Sequence, residues 1–235
     1  MKRFLSILLS LMMILSLGTT ALAAETPIES INDYEEIQSA VSKIKSQYFE
    51  EYEALSPEEK DARLKYISNL YLTPGEILNE SDSAFILLSM WEEKNTLQPT
   101  AGFSSKWYDV YKTQYGVKVN LYGTMKQDIC YAAGNSHYGG TALAEILSGS
   151  IRRVDLAIHH TAYGMIGANA PYVGILYNGK VSMTKYGNNK ITKMDKMTDY
   201  SSVLPVYTTM YASGVINTSA GDEFTVTSNT WTSWQ

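Results

Sequence analysis

Apolar side chains follow two different periods along this chain, and the period changes near residue 95. From residue 28 to residue 91 they recur every three or four positions, as on one face of an α-helix. Beyond residue 106, apolar and polar positions alternate, which is typical of half-buried β-strands. The change predicts an α+β protein, with a small N-terminal helical bundle or arm followed by an antiparallel β-sandwich or small barrel.

Local capping signals place the helices of the first part. Residues 56–59 have the sequence Ser-Pro-Glu-Glu, which combines an N-cap serine, a proline at the first helical position and a capping glutamate. Residues 73–76, Thr-Pro-Gly-Glu, repeat this signal, and Asp82 or Ser83 is expected to open a last helix. Residues 96–106 are rich in Ser, Thr, Pro and Gly, which predicts a linker before the β-rich part.

The alternating part predicts six to eight strands. Residues 117–122 alternate strictly between apolar and polar side chains. The Asn-Gly pair at residues 178–179 predicts a tight hairpin, because both residue types tolerate the positive φ of such turns. Residues 187–189, Gly-Asn-Asn, predict a second turn, and a short helix is expected over residues 141–147.

Net charge changes at the same boundary as the period. Residues 25–95 carry 16 acidic and 6 basic residues, a net charge of −10, whereas residues 96–235 carry 8 acidic and 11 basic residues, a net charge of +3. This contrast predicts an acidic helical segment over residues 25–95, a possible pro-segment, in contact with a β-rich domain over residues 107–235. The weak positive field of that domain does not favour nucleic-acid binding.

The first 24 residues have the composition of a targeting segment. Lys2 and Arg3 precede an apolar run over residues 4–17, and a small-x-small cleavage pattern follows at residues 21–23. The run is shorter than the roughly 20 residues of a membrane-spanning helix. We therefore expect residues 1–24 to be a signal peptide and the protein to be secreted and extracellular. Cys130 is the only cysteine, so no intramolecular disulfide is expected.

Candidate catalytic groups are few. Cys130 is a possible nucleophile, with His137, His159 or His160 as its base. Because neighbouring strand residues point to opposite faces, His160 is expected in the core or at its rim, and His159 on a polar face where it can pair with Asp155. As an alternative, His159 or His160 could ligate a metal with His137 or Asp155, although the sequence contains neither a metal-binding motif nor a serine-hydrolase motif. The sequence therefore favours a protein without a catalytic residue, metal or cofactor.

Aromatic residues at the two ends of the β-rich part are the other candidates. Tyrosine is abundant, with 18 residues against 5 phenylalanines, and its polar-tipped ring suits recognition surfaces. The predicted recognition residues are Trp107, Tyr108, Tyr111, Trp231 and Trp234. The alternative is that these rings close the open ends of the sheets.

The sequence is compatible with three functions. The leading hypothesis is a secreted, non-catalytic effector that acts at the cell envelope or membrane surface of bacteria, most concretely an antibacterial protein of bacteriocin type. The first alternative is a binding module for polysaccharide or cell wall. The second is a secreted hydrolase that uses Cys130 or the region of His159 and His160.

Overall fold

The computed structural model describes residues 44, 46–96, 102–130, 134–166, 172–202 and 207–234. The predicted signal peptide and the start of the helical pattern, residues 28–43, lie outside these ranges. No helix in the described ranges is long and apolar enough to cross a membrane.

Nine antiparallel strands within the described residues form two facing sheets, so the β-sandwich was predicted correctly at this level. Sheet I has the strand order β1-β2-β3-β6, and sheet II has the order β5-β4-β7, with β8 and β9 both pairing with β7. The strands are β1 (Gly102–Gln114), β2 (Val117–Ile129), β3 (Gly134–Ser148), β4 (Ile151–Ile166), β5 (Tyr172–Tyr186), β6 (Ile191–Ser202), β7 (Tyr207–Thr218), β8 (Glu223–Thr227) and β9 (Trp231–Trp234).

The main core lies between the two sheets. In β2 the apolar members of the predicted alternation, such as Val119 and Leu121, are fully buried, and they meet Leu156 and Ile158 of β4. Burying each such side chain stabilises the fold by about 1.5–3 kcal/mol. The alternation over residues 117–122 therefore gave the correct inward face of β2.

Helical segments precede the sandwich. The two longer ones are α1 (Pro57–Leu70) and α2 (Glu80–Thr96), and residues 46–53 are also helical. The predicted capping box at the start of α1 is confirmed: the Glu59 backbone N–H donates to Ser56 Oγ (3.2 Å), and the Ser56 backbone N–H donates to Glu59 Oε2 (2.8 Å). These two bonds satisfy donors that a helix N-terminus leaves unpaired.

The helices pack on the outer face of sheet II and not between the sheets. Ser68 Oγ of α1 lies 2.9 Å from the hydroxyl of Tyr163, and Asn69 Nδ2 donates to the hydroxyl of Tyr211 (2.9 Å). Burial raises the pKa of Tyr163 to about 12. The contact forms a second apolar cluster: Tyr52, Leu64, Ile67, Tyr71, Leu78, Phe85, Ile86 and Leu88 from the helical part, with Tyr163, Val173, Ile175 and Tyr207 from the strands.

The helix start expected at residues 73–76 is wrong, because this segment pairs with a strand. Gly75 N–H donates to the Ile175 carbonyl (2.7 Å), Ile175 N–H to the Glu76 carbonyl (2.9 Å) and Leu78 N–H to the Val173 carbonyl (2.9 Å). Gly75 has a φ of +87°, which a glycine adopts readily and which ends any helical path. Residues 75–78 therefore lie along the free edge of β5.

The hairpin predicted at residues 178–179 is also wrong, since both residues lie inside β5. Asn178 Nδ2 points outward and donates to the Ser68 carbonyl (2.6 Å) and the Tyr71 carbonyl (2.8 Å) at the C-terminal end of α1. Gly179 faces the core, where a Cβ atom would clash with the hydroxyl of Tyr177. Packing therefore explains both the asparagine and the glycine at these positions. The turn predicted at residues 187–189 is confirmed, because it joins β5 to β6.

Two further boundaries differ from the sequence prediction. Residues 102–106 belong to β1 and pair with residues 125–129 of β2, so β1 begins inside the predicted linker 96–106. The helix expected over residues 141–147 is a strand, because this segment of β3 pairs with β2 on one side and β6 on the other. Pairing on both edges overrides the helical propensity of its Ala and Leu residues.

Candidate functional site

The outward face of sheet I carries a row of exposed aromatic rings. Phe103, Trp107 and Tyr111 of β1 are 66, 60 and 58% exposed. They are four residues apart on one strand, so they share a face, and at about 3.3 Å per residue successive positions are about 13 Å apart. The three rings therefore form a line along β1, the edge strand of sheet I.

A fourth ring and a carboxylate complete this group. Tyr122 of β2 lies directly opposite Asp109 of β1, and the register places Trp107 and Tyr111 at its two diagonal positions. The ring centroids of Trp107 and Tyr122 are 6.1 Å apart, at an angle of 46°. We call Phe103, Trp107, Asp109, Tyr111 and Tyr122 the aromatic face.

Charged residues around the aromatic face have mixed signs with an excess of acids. Two acids are paired, since Asp195 lies 4.0 Å from Lys193 and Asp199 lies 2.6 Å from His137. The strand registers place the following charged side chains on the outward face of sheet I: Lys118, Lys126 and Lys193, with Asp109, Asp128, Glu145, Asp195 and Asp199. The face is therefore not a cationic patch.

The other predicted recognition residues do not join this face. Tyr108 points into the sandwich, where its hydroxyl donates to the Thr141 carbonyl (3.1 Å) and burial raises its pKa, so its predicted surface position is wrong. Trp231 is half-buried and packs against the main core. Trp234 pairs through its backbone with Tyr207, and its side chain lies outside the described part of the structure. Of the predicted set, Trp107 and Tyr111 point outward.

Phe103, Asp109 and Tyr122 were missed by the sequence analysis. Phe103 lies in the predicted linker 96–106, and the pairing register that places Asp109 opposite Tyr122 cannot be read from composition. A signal did exist: in residues 103–111, aromatic and polar side chains occupy the odd-numbered positions.

Cys130 is not paired with a histidine. Its backbone N–H donates to Ser136 Oγ (3.0 Å), while its sulfur lies beside Gly134. Each of the three histidines bonds another group: His137 contacts Asp199, His159 contacts Ser213 and His160 contacts Tyr200. The structure therefore does not assemble the Cys–His pair that a thiol nucleophile needs.

His159 lies on the outer face of sheet II, as expected, but not paired with Asp155. Its Nε2 lies 2.9 Å from Ser213 Oγ, and its ring stacks on that of Tyr211 with centroids 4.4 Å apart. Asp155 instead forms an ion pair with Arg153 (2.9 Å). Burial and, second, the charge of Lys180 lower the pKa of His159 to about 4, so its imidazole is a weak base.

His160 is a core residue, which confirms the prediction from strand alternation. It is fully buried, its Nε2 lies 2.8 Å from the hydroxyl of Tyr200, and its ring stacks on Tyr138 at 4.7 Å. Burial lowers the pKa of His160 to about 3. Its Nδ1 has no hydrogen-bond partner within the described residues. The described ranges also contain no group of three His, Cys, Asp or Glu residues arranged to hold a metal ion.

A second concave feature lies in the helical part. A cavity of about 410 Å³ opens between the helix over residues 46–53, α1 and α2. Its lining is amphipathic: Tyr48, Glu51, Tyr52, Leu55, Glu59, Ala62, Arg63, Tyr66, Ser81, Phe85 and Leu88. Arg63 is held at its wall by an ion pair with Asp82, so its charge is already compensated.

Comparison with known proteins assigns no family. No family model matches the chain, and no curated protein matches it. A structural-genomics target designated SoR45 is 10% identical with a TM-score of 0.24, covering 57% of this chain and 85% of that one. Spo0M, a sporulation control protein of Bacillus subtilis, is 8% identical with a TM-score of 0.22, covering 55% of this chain and 49% of its own.

Proposed function

We propose that this protein is a non-catalytic module that binds polysaccharide at the bacterial cell envelope through the aromatic face. The observation that carries the proposal is the row of Phe103, Trp107 and Tyr111, each more than half exposed on one strand. Exposed apolar groups that cluster on one surface mark binding sites. Aromatic rings stack on the C–H faces of sugars, and a straight row of them suits an extended polymer.

Polar side chains between the rings supply the second requirement of a glycan site. Thr124 lies opposite Trp107 on β2, and Thr141 of β3 lies next to Thr124 in the same row across the sheet. Asn120 lies opposite Tyr111, but its side chain is buried, so its amide does not reach a ligand on this face. The hydroxyl groups of Thr124 and Thr141 can exchange hydrogen bonds with sugar hydroxyls.

Features outside the aromatic face agree with this proposal. The predicted signal peptide supports a location where envelope polysaccharide is accessible. The histidines and the single cysteine are not arranged as a nucleophile with its base, which favours binding over catalysis. The excess of acids on the outer face favours ring stacking over electrostatic attraction to anionic lipid.

The test is a binding assay on insoluble glycans, with the full chain lacking only its predicted signal peptide. Purified cell wall, chitin and cellulose are the probes, and the double variant Trp107→Ala/Tyr111→Ala is compared with the unaltered protein. We expect its affinity to fall by at least about tenfold, which corresponds to about 1.4 kcal/mol.

The matched control is Tyr186→Ala, which removes an even more exposed ring (71%) from the end of β5 in sheet II. This variant should bind as the unaltered protein does. Binding to none of the three glycans, or equal binding by the Trp107/Tyr111 double variant, would overturn the proposal.

We propose the bacteriocin-type antibacterial function as a second candidate, supported by a different observation. The helical part covers apolar strand residues of sheet II, including Tyr163, Ile175 and Tyr207. Its displacement would expose an apolar surface of the kind that inserts into membranes. Comparing the killing of Gram-positive cells by residues 25–235 and 96–235 tests this candidate. The absence of inhibition by both forms at micromolar concentration would end it.

A further inference from the structure

Asp109 occupies a distinctive place within the aromatic face. Along β1 it lies between Trp107 and Tyr111, and across the sheet it lies opposite Tyr122. Residues two apart on a strand point to the same side and are about 7 Å apart. The exposed carboxylate of Asp109 is therefore surrounded on three sides by aromatic residues.

The charge of Asp109 is not compensated within the described residues. No described lysine, arginine or histidine forms an ion pair with it. Lys193, on the same face, lies beside Asp195. Lys112, the next lysine along β1, points to the other side of the strand, where its Nζ donates to the Thr225 carbonyl (2.7 Å). A negative charge thus remains available to a ligand.

A carboxylate surrounded by aromatic rings favours cationic ligands over neutral or anionic ones. The faces of Trp and Tyr rings carry negative potential and attract cations, and they bind ammonium groups best when several rings surround the charge. A carboxylate among the rings adds direct attraction and repels anionic groups. Sugars that carry uronic acid or phosphate are disfavoured for the same reason, because acids exceed lysines across the whole outer face.

We propose that the aromatic face selects glycans that carry a positively charged ammonium group, which binds among Trp107, Tyr111 and Tyr122 with its charge directed at Asp109. This inference rests on the proposed glycan binding and specifies its ligand class. Two sources present this chemistry: the free amine of a deacetylated amino sugar and the trimethylammonium of a choline substituent.

The experiment uses two oligosaccharides that differ only in acetylation. Chitosan hexamer, with free amines, and chitin hexamer, with N-acetyl groups, are titrated calorimetrically into the unaltered chain at a pH where the amines are protonated. We expect the chitosan hexamer to bind about tenfold or more tightly than the chitin hexamer. An oligogalacturonate of similar length is the anionic comparison, and it should bind most weakly.

Two variants locate the preference. Asp109→Asn keeps the shape of the side chain and removes its charge, so it should clearly weaken the preference for chitosan, leaving only the attraction of the rings, while chitin binding persists. Asp195→Asn removes a charge from the same face but outside the aromatic group, and it should keep the preference. Free choline is added as a competitor: displacement of chitosan by millimolar choline identifies a general ammonium site, and its failure identifies an amino-sugar site.

The outcomes separate this inference from the proposed function. If the chitin hexamer binds as tightly as chitosan, or if Asp109→Asn retains the full preference, the proposed ammonium site is refuted and glycan binding stands. If neither hexamer binds and the insoluble glycans also fail, both proposals are refuted together.

Discussion

The free energy of unfolding is expected to fall between pH 7 and pH 5. The folded structure keeps the imidazoles of His159 and His160 neutral in this range, whereas the unfolded chain binds protons there. His160 is enclosed between the sheets and has a pKa of about 3, owing to burial. His159 has a pKa of about 4, owing first to burial and second to Lys180. In the unfolded chain each histidine would titrate near its ordinary value of about 6.5.

The sign and size of the effect follow from proton linkage. Because the folded pKa values are depressed, the unfolded chain takes up the protons first, and stability is lost as the pH falls from about 6.5 towards 4 and 3. Between pH 7 and pH 5 each histidine contributes a loss of about 2 kcal/mol. The two together remove about 4 kcal/mol, a large part of the roughly 5–15 kcal/mol by which domains are stable.

Urea unfolding at pH 5, 6 and 7 measures this loss. His160→Gln should lower the loss in unfolding free energy between pH 7 and pH 5 from about 4 to about 2 kcal/mol. The double variant His159→Gln/His160→Gln should make stability nearly independent of pH in this window. The comparison uses only the change with pH within each variant, so a general destabilisation of a variant does not affect it.

His137→Gln is the matched control, since His137 lies on the surface beside Asp199 and its side chain is half exposed. It should retain the full pH dependence. If His160→Gln loses as much stability between pH 7 and pH 5 as the unaltered protein does, the assignment of the acid sensitivity to the buried histidine is wrong.

Three further substitutions test single contacts of the helical part and of the main core, each by its urea midpoint. Asn178→Ala removes both hydrogen bonds to the end of α1 and should cost about 1–3 kcal/mol, and an unchanged midpoint would show that these bonds do not hold the helix. Ser56→Ala removes the N-cap of α1 and should cost about 1 kcal/mol, whereas no loss would contradict the capping role. Gly179→Ala places a Cβ against the Tyr177 hydroxyl in the main core and should cost about 1–3 kcal/mol, and full stability would show that the Tyr177 side chain moves aside at little cost.

The sequence predicted well those features that depend on neighbouring residues. The capping box of α1 is complete within residues 56–59, and the strict alternation over residues 117–122 identified the buried face of β2. The same alternation along β4 placed His160 in the core. These features needed no knowledge of distant contacts.

Features that depend on distant partners were predicted wrongly or missed. The Asn-Gly pair predicts a turn at Asn178, but the hydrogen-bond acceptors of Asn178 lie 110 and 107 positions earlier in the chain. Residues 141–147 have local helical propensity, and only the pairing of β3 with both β2 and β6 makes this segment a strand. The aromatic face was found in part, because Trp107 and Tyr111 are visible in the sequence, whereas the position of Asp109 opposite Tyr122 follows only from the register.

The segment over residues 75–78 has a consequence for any processing of the chain. It occupies the outer hydrogen-bonding groups of β5 at Val173 and Ile175, where unpaired strand edges otherwise recruit other chains. Proteolysis that releases everything before residue 96 would leave this edge bare next to the apolar patch formed by Tyr163 and Tyr207. The trimmed protein is then expected to polymerise edge to edge unless a membrane or a neighbouring strand takes the vacated position.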